Sequence, residues 1–143
     1  MMVRLLYASR IDDSVNEATL HAILKQSRAH NPEVGITGAL CCCLNARVFM
    51  QVLEGGRSPV SHLYNKIAQD RRHHDVELLC YEDIVERRFA GWSMGQVNMH
   101  RINPALLLRY SESAKLDPYG VSGQVSMKLF DELVATASIV GQG

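Results

Sequence analysis

The sequence predicts an α+β sandwich, and three observations lead to that class. Strand-like and helix-like patterns follow one another in the order βαββαβ, with a further strand after them. The strand segments are apolar on both faces, so both sides of the sheet need cover. The last third of the chain carries an apolar stripe at helical spacing that can supply the second cover. The arrangement is therefore ferredoxin-like, with two helices on one sheet face and C-terminal helices on the other.

Each element has its own signal. Val3–Ala8 reads as the first strand, closed by the polar turn Ser9–Asp13. Ser14 or Asp13 can cap the helix that follows, with Glu17 completing a capping box after Ser14. Val15, Ala18, Leu20, Ala22, Ile23 and Leu24 give that helix an apolar face. It should end near His30-Asn31-Pro32, because a residue before proline avoids helical angles. Ile36–Cys43 is a second strand, joined through Leu44-Asn45-Ala46 to a third, Arg47–Gly55.

Gly55-Gly56 turns the chain into a second helix with Pro59 at its first position and Val60, Leu63, Tyr64 and Ile67 inward. The cluster Asp70–His74 ends it. Strands are expected at Val76–Tyr81 and around Gly91–Val97, the latter with Trp92 and Met94 on one face. Helices follow near Pro104–Tyr110 and Ser122–Ile139. The last presents Val125, Leu129, Leu133 and Ala137, flanked by Phe130 and Val134, toward a sheet face bearing Leu6, Met50 and Val52.

Composition narrows the function. The chain has 143 residues, one domain's worth, and its 15 basic and 15 acidic residues cancel. No net field steers it toward nucleic acid, and a nucleic-acid-binding sheet would also need exposed aromatic pairs. No apolar run is long enough to span a bilayer, and Val3–Tyr7 turns polar too quickly for a signal peptide, so a cytoplasmic location is expected. Cys41, Cys42, Cys43 and Cys80 lack the spacing of a zinc site, and adjacent cysteines on a strand cannot pair without strain. They read as small apolar filler in a reducing compartment.

Gln51 is the residue that most constrains the reading. It is a carboxamide in the middle of Val48-Phe49-Met50-Gln51-Val52-Leu53, a segment otherwise apolar on both faces. A buried amide without partners costs about 1–3 kcal/mol, so something polar must meet it. That partner is either backbone or a tyrosine, or the polar edge of a ligand. In the predicted topology the first and third strands are neighbours, which lets Tyr7 meet Gln51 across them. Asn31 at a helix end and the rim Asp70/Arg72/His73 face the same space between sheet and helices. A planar heterocycle with donors and acceptors on its edge would satisfy all of them, although Asn31 is also a common C-cap and the basic run a common helix end.

Six blocks in this order resemble the BLUF domain, a family of flavin-using blue-light photoreceptors. They are Met2-Val3-Arg4-Leu5-Leu6-Tyr7-Ala8-Ser9, Ser27-Arg28-Ala29-His30-Asn31, Ile36-Thr37-Gly38-Ala39-Leu40, Phe49-Met50-Gln51-Val52-Leu53-Glu54-Gly55, Asp70-Arg71-Arg72-His73 and Arg88-Phe89-Ala90-Gly91-Trp92-Ser93-Met94. The resemblance covers residues 3–97. It implies a photosensor domain over 1–100 and a helical extension over 101–143. It implies FAD as cofactor, with FMN or riboflavin as alternatives. It gives Tyr7 the role of electron and proton donor, and Gln51 that of the amide whose rearrangement makes a new bond to the flavin C4 carbonyl. By the same resemblance Asn31 binds the C4=O/N3 edge and Arg72 lies near the C2 carbonyl. Asp70 and His73 are further polar neighbours, Ile23 and Ile67 sandwich the ring, and Trp92 and Met94 relay the signal.

Two departures from the family stand out. Gln51 lies two residues farther from Gly38 than is usual, which implies a longer hairpin loop, and Cys42 stands where an aromatic is frequent. The expected activity is sensing without catalysis, with output through an unidentified downstream protein or a homodimer, and with neither nucleic acid nor membrane as a direct partner. The alternative is a ferredoxin-like regulatory domain or small enzyme without flavin. Its only dense polar cluster, Asp70/Arg72/His73, has no spaced catalytic partner.

Overall fold

The computed structural model describes residues 1–136 and 139–140. Ala137, assigned above to the apolar stripe, lies outside them. The elements run β1 (Met2–Ile11), α1 (Glu17–Val34), β2 (Thr37–Cys43), β3 (Val48–Gly56), α2 (Arg57–Ala68) and β4 (His73–Ile84). They continue with β5 (Gly95–Val97), a 3-10 turn (Met99–Arg101), α3 (Pro104–Tyr110), α4 (Gly123–Thr136) and β6 (Ile139–Val140). Their sheet has the order β4-β1-β3-β2-β5-β6. β2 and β5 are parallel, and the other pairs are antiparallel.

The α+β architecture has the expected double cover. On one face Val3, Leu5, Leu40 and Leu53 pack with Leu20 and Leu24 of α1 and Val60 of α2. On the other, Leu6, Met50 and Val52 pack with Leu107, Leu129, Phe130 and Leu133 of the tail. Each sheet residue thus contributes to one of two cores according to its parity along the strand. No helix among the described residues is long and apolar enough to cross a membrane.

Several local expectations are corrected. The cap of α1 is Asn16, whose side chain accepts from the Thr19 amide at 3.0 Å, and not Ser14 or Asp13. Ser14 is instead drawn to the Asp12 carboxylate through its amide and hydroxyl, so the chain stays non-helical until Glu17. Ala18 and Ala22 are exposed, and the buried residues of α1 are Leu20, Leu24 and Asn31. The helix also runs through Pro32 to Val34. Gly35 closes it in the left-handed region at φ 70°, and the Ile36 amide donates back to the Asn31 carbonyl at 3.0 Å. That closure satisfies the last carbonyls and outweighs the preference of the residue before proline. α2 starts at Arg57, so Pro59 is its third residue.

The segment before β5 departs most. Only Gly95–Val97 is strand, and Trp92 and Met94 face opposite sides of the sheet. Met94 is fully buried under the α1/α2 layer, whereas Trp92 joins the tail-side core beside Phe89, 5.5 Å between ring centroids. Alternation fails because these residues bond to partners outside a ladder. The Trp92 carbonyl accepts from the Gly38 amide at 3.0 Å, and the Met94 carbonyl from Arg28 Nε at 2.9 Å. Gly38 has no room for a side chain: a Cβ there would lie 2.0 Å from the Val52 carbonyl oxygen.

Candidate functional site

β1 and β3 are antiparallel neighbours, and their register sets Tyr7 directly opposite Gln51. Both point to the face covered by α1 and α2. The Tyr7 phenol donates to Gln51 Oε1 at 2.5 Å, and Gln51 Nε2 points at Met94 Sδ, 3.2 Å away. The amide that looked costly in sequence is thus held between a phenol and a thioether. A thioether is a weak acceptor, so one end of the amide is held less firmly than the other. Tyr7 is 1% exposed, and its burial, reinforced by Tyr64 and Asp70, raises the phenol well above its usual value near 10. It is a neutral proton donor at physiological pH.

Beside this pair a cavity of about 410 Å³ opens between α1, α2 and the sheet. Tyr7, Ile23, Asn31, Gln51, Ile67, Asp70, Arg72 and His73 all line it. Trp92 and Met94 do not; Met94 reaches it only through Gln51. Asn31 is buried in the last turn of α1, where its Nδ2 donates to the Ser93 carbonyl at 2.7 Å. Ile23 of α1 and Ile67 of α2 supply aliphatic surface from the two helices that flank the cavity.

The rim is charged and internally tied. Asp70 and Arg72 form a forked pair, with Nη2 to Oδ2 at 2.5 Å and Nε to Oδ1 at 3.0 Å. The Arg72 hydrogen bond holds the Asp70 carboxyl below its usual range, and the same bond raises Arg72. His73 sits between two partners: Nε2–H donates to the Ile67 carbonyl at 2.5 Å, which leaves Nδ1 facing Ser9 Oγ at 2.7 Å.

Sequence reasoning did not single out Phe49, Leu63, Ser27, His30 and Lys66, which also line the cavity. Their signal was positional. Phe49 shares the strand face of Gln51, and Ser27 lies one helical turn before Asn31. Cys42 also lines the wall, and its thiol is pushed up to about 12, chiefly by burial. Among the described residues no group of His, Cys, Asp or Glu could hold a metal ion.

The fit to a flavin follows from the chemistry of this lining. The volume lies in the range of small-molecule sites. Aliphatic surface on two helices suits a flat ring, and the amide, phenol, guanidinium and imidazole groups of the same lining suit a ring whose edge carries donors and acceptors.

Comparisons with known proteins agree. A family model described as "Sensors of blue-light using FAD" matches residues 2–95. The blue light- and temperature-regulated antirepressor BluF of Escherichia coli (strain K12) is 32% identical over 109 residues, 74% of this chain and 26% of that protein. Photoactivated adenylate cyclase subunit beta of Euglena longa is 34% identical over 94 residues, 65% of this chain and 11% of that protein. The chain thus spans only a minor part of these curated relatives. Among solved structures, the photo-activated state of BlsA superposes with TM-score 0.81 at 33% identity, covering 96% of this chain and 99% of that one. The dark state of BlrB gives TM-score 0.78 at 30% identity, covering 94% and 95%. With the phenol–amide pair, the cavity beside it and these relatives together, the chain belongs to the BLUF family of sensors of blue light using FAD.

Proposed function

We propose that Tyr7 and Gln51 form the photoactive pair of this sensor and that Met94 carries the change outward. The observation behind the reading is the continuous chain from the Tyr7 phenol through the Gln51 amide to the Met94 sulfur. Blue-light absorption and the uptake of an electron and a proton are the chemistry a bound flavin supplies. Asn31, Gln51 and Arg72 would hold its polar edge, with Ile23 and Ile67 against the ring and Asp70 and His73 fixing the rim. Tyr7 serves as the donor of the electron and the phenolic proton. Gln51 then exchanges its two ends, by rotation or tautomerisation.

That exchange alters the contact with Met94. In the present orientation a donor faces the sulfur. Turned over, the amide presents an acceptor to an acceptor, and the hydrogen bond is lost. A two-state side chain of this kind needs no movement of the chromophore.

Residues 1–100 act as the sensor domain and 101–143 as its extension, in which α3 and α4 are the helices and Ile139, expected in the last helix, belongs instead to strand β6. The chain has no catalytic role of its own, and output passes to a separate effector protein or through a homodimer. Relatives named as an antirepressor and as cyclase subunits support an effector outside the sensor region. FAD is the flavin of the family, and FMN or riboflavin share the ring that the cavity addresses.

The test is spectroscopic. Purified protein should release free flavin on acid or heat treatment. Blue light should give a small red shift of its absorption that reverses in the dark without a covalent adduct. Folded, flavin-loaded protein with no shift would contradict the reading.

A further inference from the structure

Glu54 has no part in the account above, yet it is a fully buried carboxylate on β3, three residues beyond Gln51. It faces the opposite side of the sheet from Gln51. Arg4 Nε donates to its Oε2 at 2.9 Å, and Thr37 Oγ1 donates to Oε1 at 3.2 Å. Its remaining capacity is spent on the backbone: the Arg88 amide donates to Oε2 at 2.8 Å and the Phe89 amide to Oε1 at 2.9 Å. Two consecutive loop amides captured by one buried carboxylate form a charge-assisted anchor.

The anchored segment joins the cavity to the tail. At its far end Met94 Sδ takes the Gln51 amide and the Ser93 carbonyl takes Asn31. At its near end the Phe89 ring meets the Phe130 ring of α4 edge-on at 6.3 Å, and Arg88 pairs with Asp131 of α4. Trp92 stacks on Phe89 in between. Residues 88–94 therefore touch the photoactive amide at one end and α4 at the other, with Glu54 fixing the end next to α4.

We propose that Glu54 is a positioning residue for light signalling. It holds residues 88–94 as one strap, so that a change at Met94 reaches α4 through Phe89 and Phe130. This inference rests on the Gln51–Met94 switch proposed above. Coupling of this kind needs an element whose position both ends bias, and the strap supplies one.

The test uses the full flavin-loaded chain, with absorption, dark recovery and hydrogen exchange measured in dark and light. In the parent protein, exchange across residues 123–136 should change on illumination. Glu54→Gln preserves shape but loses one acceptor, and Arg4 keeps Glu82 at 3.0 Å. It should retain the red shift, alter dark recovery by about threefold or more, and lose most of the α4 response. Phe89→Leu touches α4 but not Gln51, so it should lose the α4 response with recovery within about twofold of the parent. Unchanged recovery and a full α4 response in Glu54→Gln, even with a lowered unfolding midpoint, would reduce Glu54 to a structural role and overturn the proposal. So would a full α4 response in Phe89→Leu, which decides the matter if Glu54→Gln does not fold. An absent red shift in the parent protein marks failure of the sensing reading itself, and the same spectra reveal it.

Discussion

Tyr7 and Gln51 are paired across β1 and β3, and the phenol of one donates to the amide oxygen of the other at 2.5 Å. The sheet register alone creates this contact. Because Tyr7 is also fully desolvated, its proton stays on oxygen unless something removes it. Tyr7→Phe removes the donor and leaves the ring, which already packs 5.7 Å from Tyr64. It should keep flavin binding and lose the red-shifted state, as read by difference spectroscopy before and after blue light.

The raised Tyr7 value predicts an alkaline signature. Below the usual tyrosine value near 10, folded and unfolded chains both hold the proton, and this group adds no pH dependence. Above it the unfolded chain ionises first, so stability falls as pH rises toward the raised folded value. Tyr64 and Tyr119 are also raised, chiefly by burial, and add to the slope. Denaturant titrations at pH 8 and pH 11 should therefore show a smaller loss of stability in Tyr7→Phe than in the parent. Equal losses would contradict the assignment.

Asn31→Ala should loosen the flavin without abolishing the switch. The change leaves the Ser93 carbonyl without its 2.7 Å partner, at a cost of about 1–3 kcal/mol. Loss of a polar contact to the flavin edge should weaken retention by about tenfold. Equilibrium dialysis against free flavin measures the affinity, and the red shift of the fraction that stays bound should be of normal size.

The cysteine run should be photochemically silent. Burial raises the thiols of Cys41 and Cys42, the latter to about 12, so neither supplies a thiolate nucleophile at neutral pH. Replacing Cys41, Cys42 and Cys43 together by Ala should preserve the red shift. The cost should be about 1 kcal/mol for each buried site. A folded, flavin-loaded triple variant without the shift would assign the thiols a role they lack here.

Much of this was readable in the sequence because strand parity is strict. Once Gln51 was placed on an apolar strand, its face and its neighbour followed from a period of two. Of the eight residues around the cavity, Tyr7 and Gln51 followed from strand parity and Asn31, Asp70, Arg72 and His73 from their places at helix ends, whereas the places of Ile23 and Ile67 were implied by the family resemblance. What failed was local competition. Asp12 captured Ser14 and moved the helix start, and the Gly35 closure carried α1 through Pro32. Trp92 and Met94 parted because their carbonyls answer to Gly38 and Arg28, and such long-range partners leave no trace in a local pattern. The capture of the Arg88 and Phe89 amides by Glu54 was invisible for the same reason.

The central claim is that the Gln51 amide is the switch, and Gln51→Leu tests it most directly. Leucine fills a similar volume, keeps the apolar neighbours and removes both ends of the amide. Purified, flavin-loaded Gln51→Leu should have an ordinary dark spectrum and show no red-shifted state under blue light that fully converts the parent protein. A normal, reversible red shift in that variant would contradict the account.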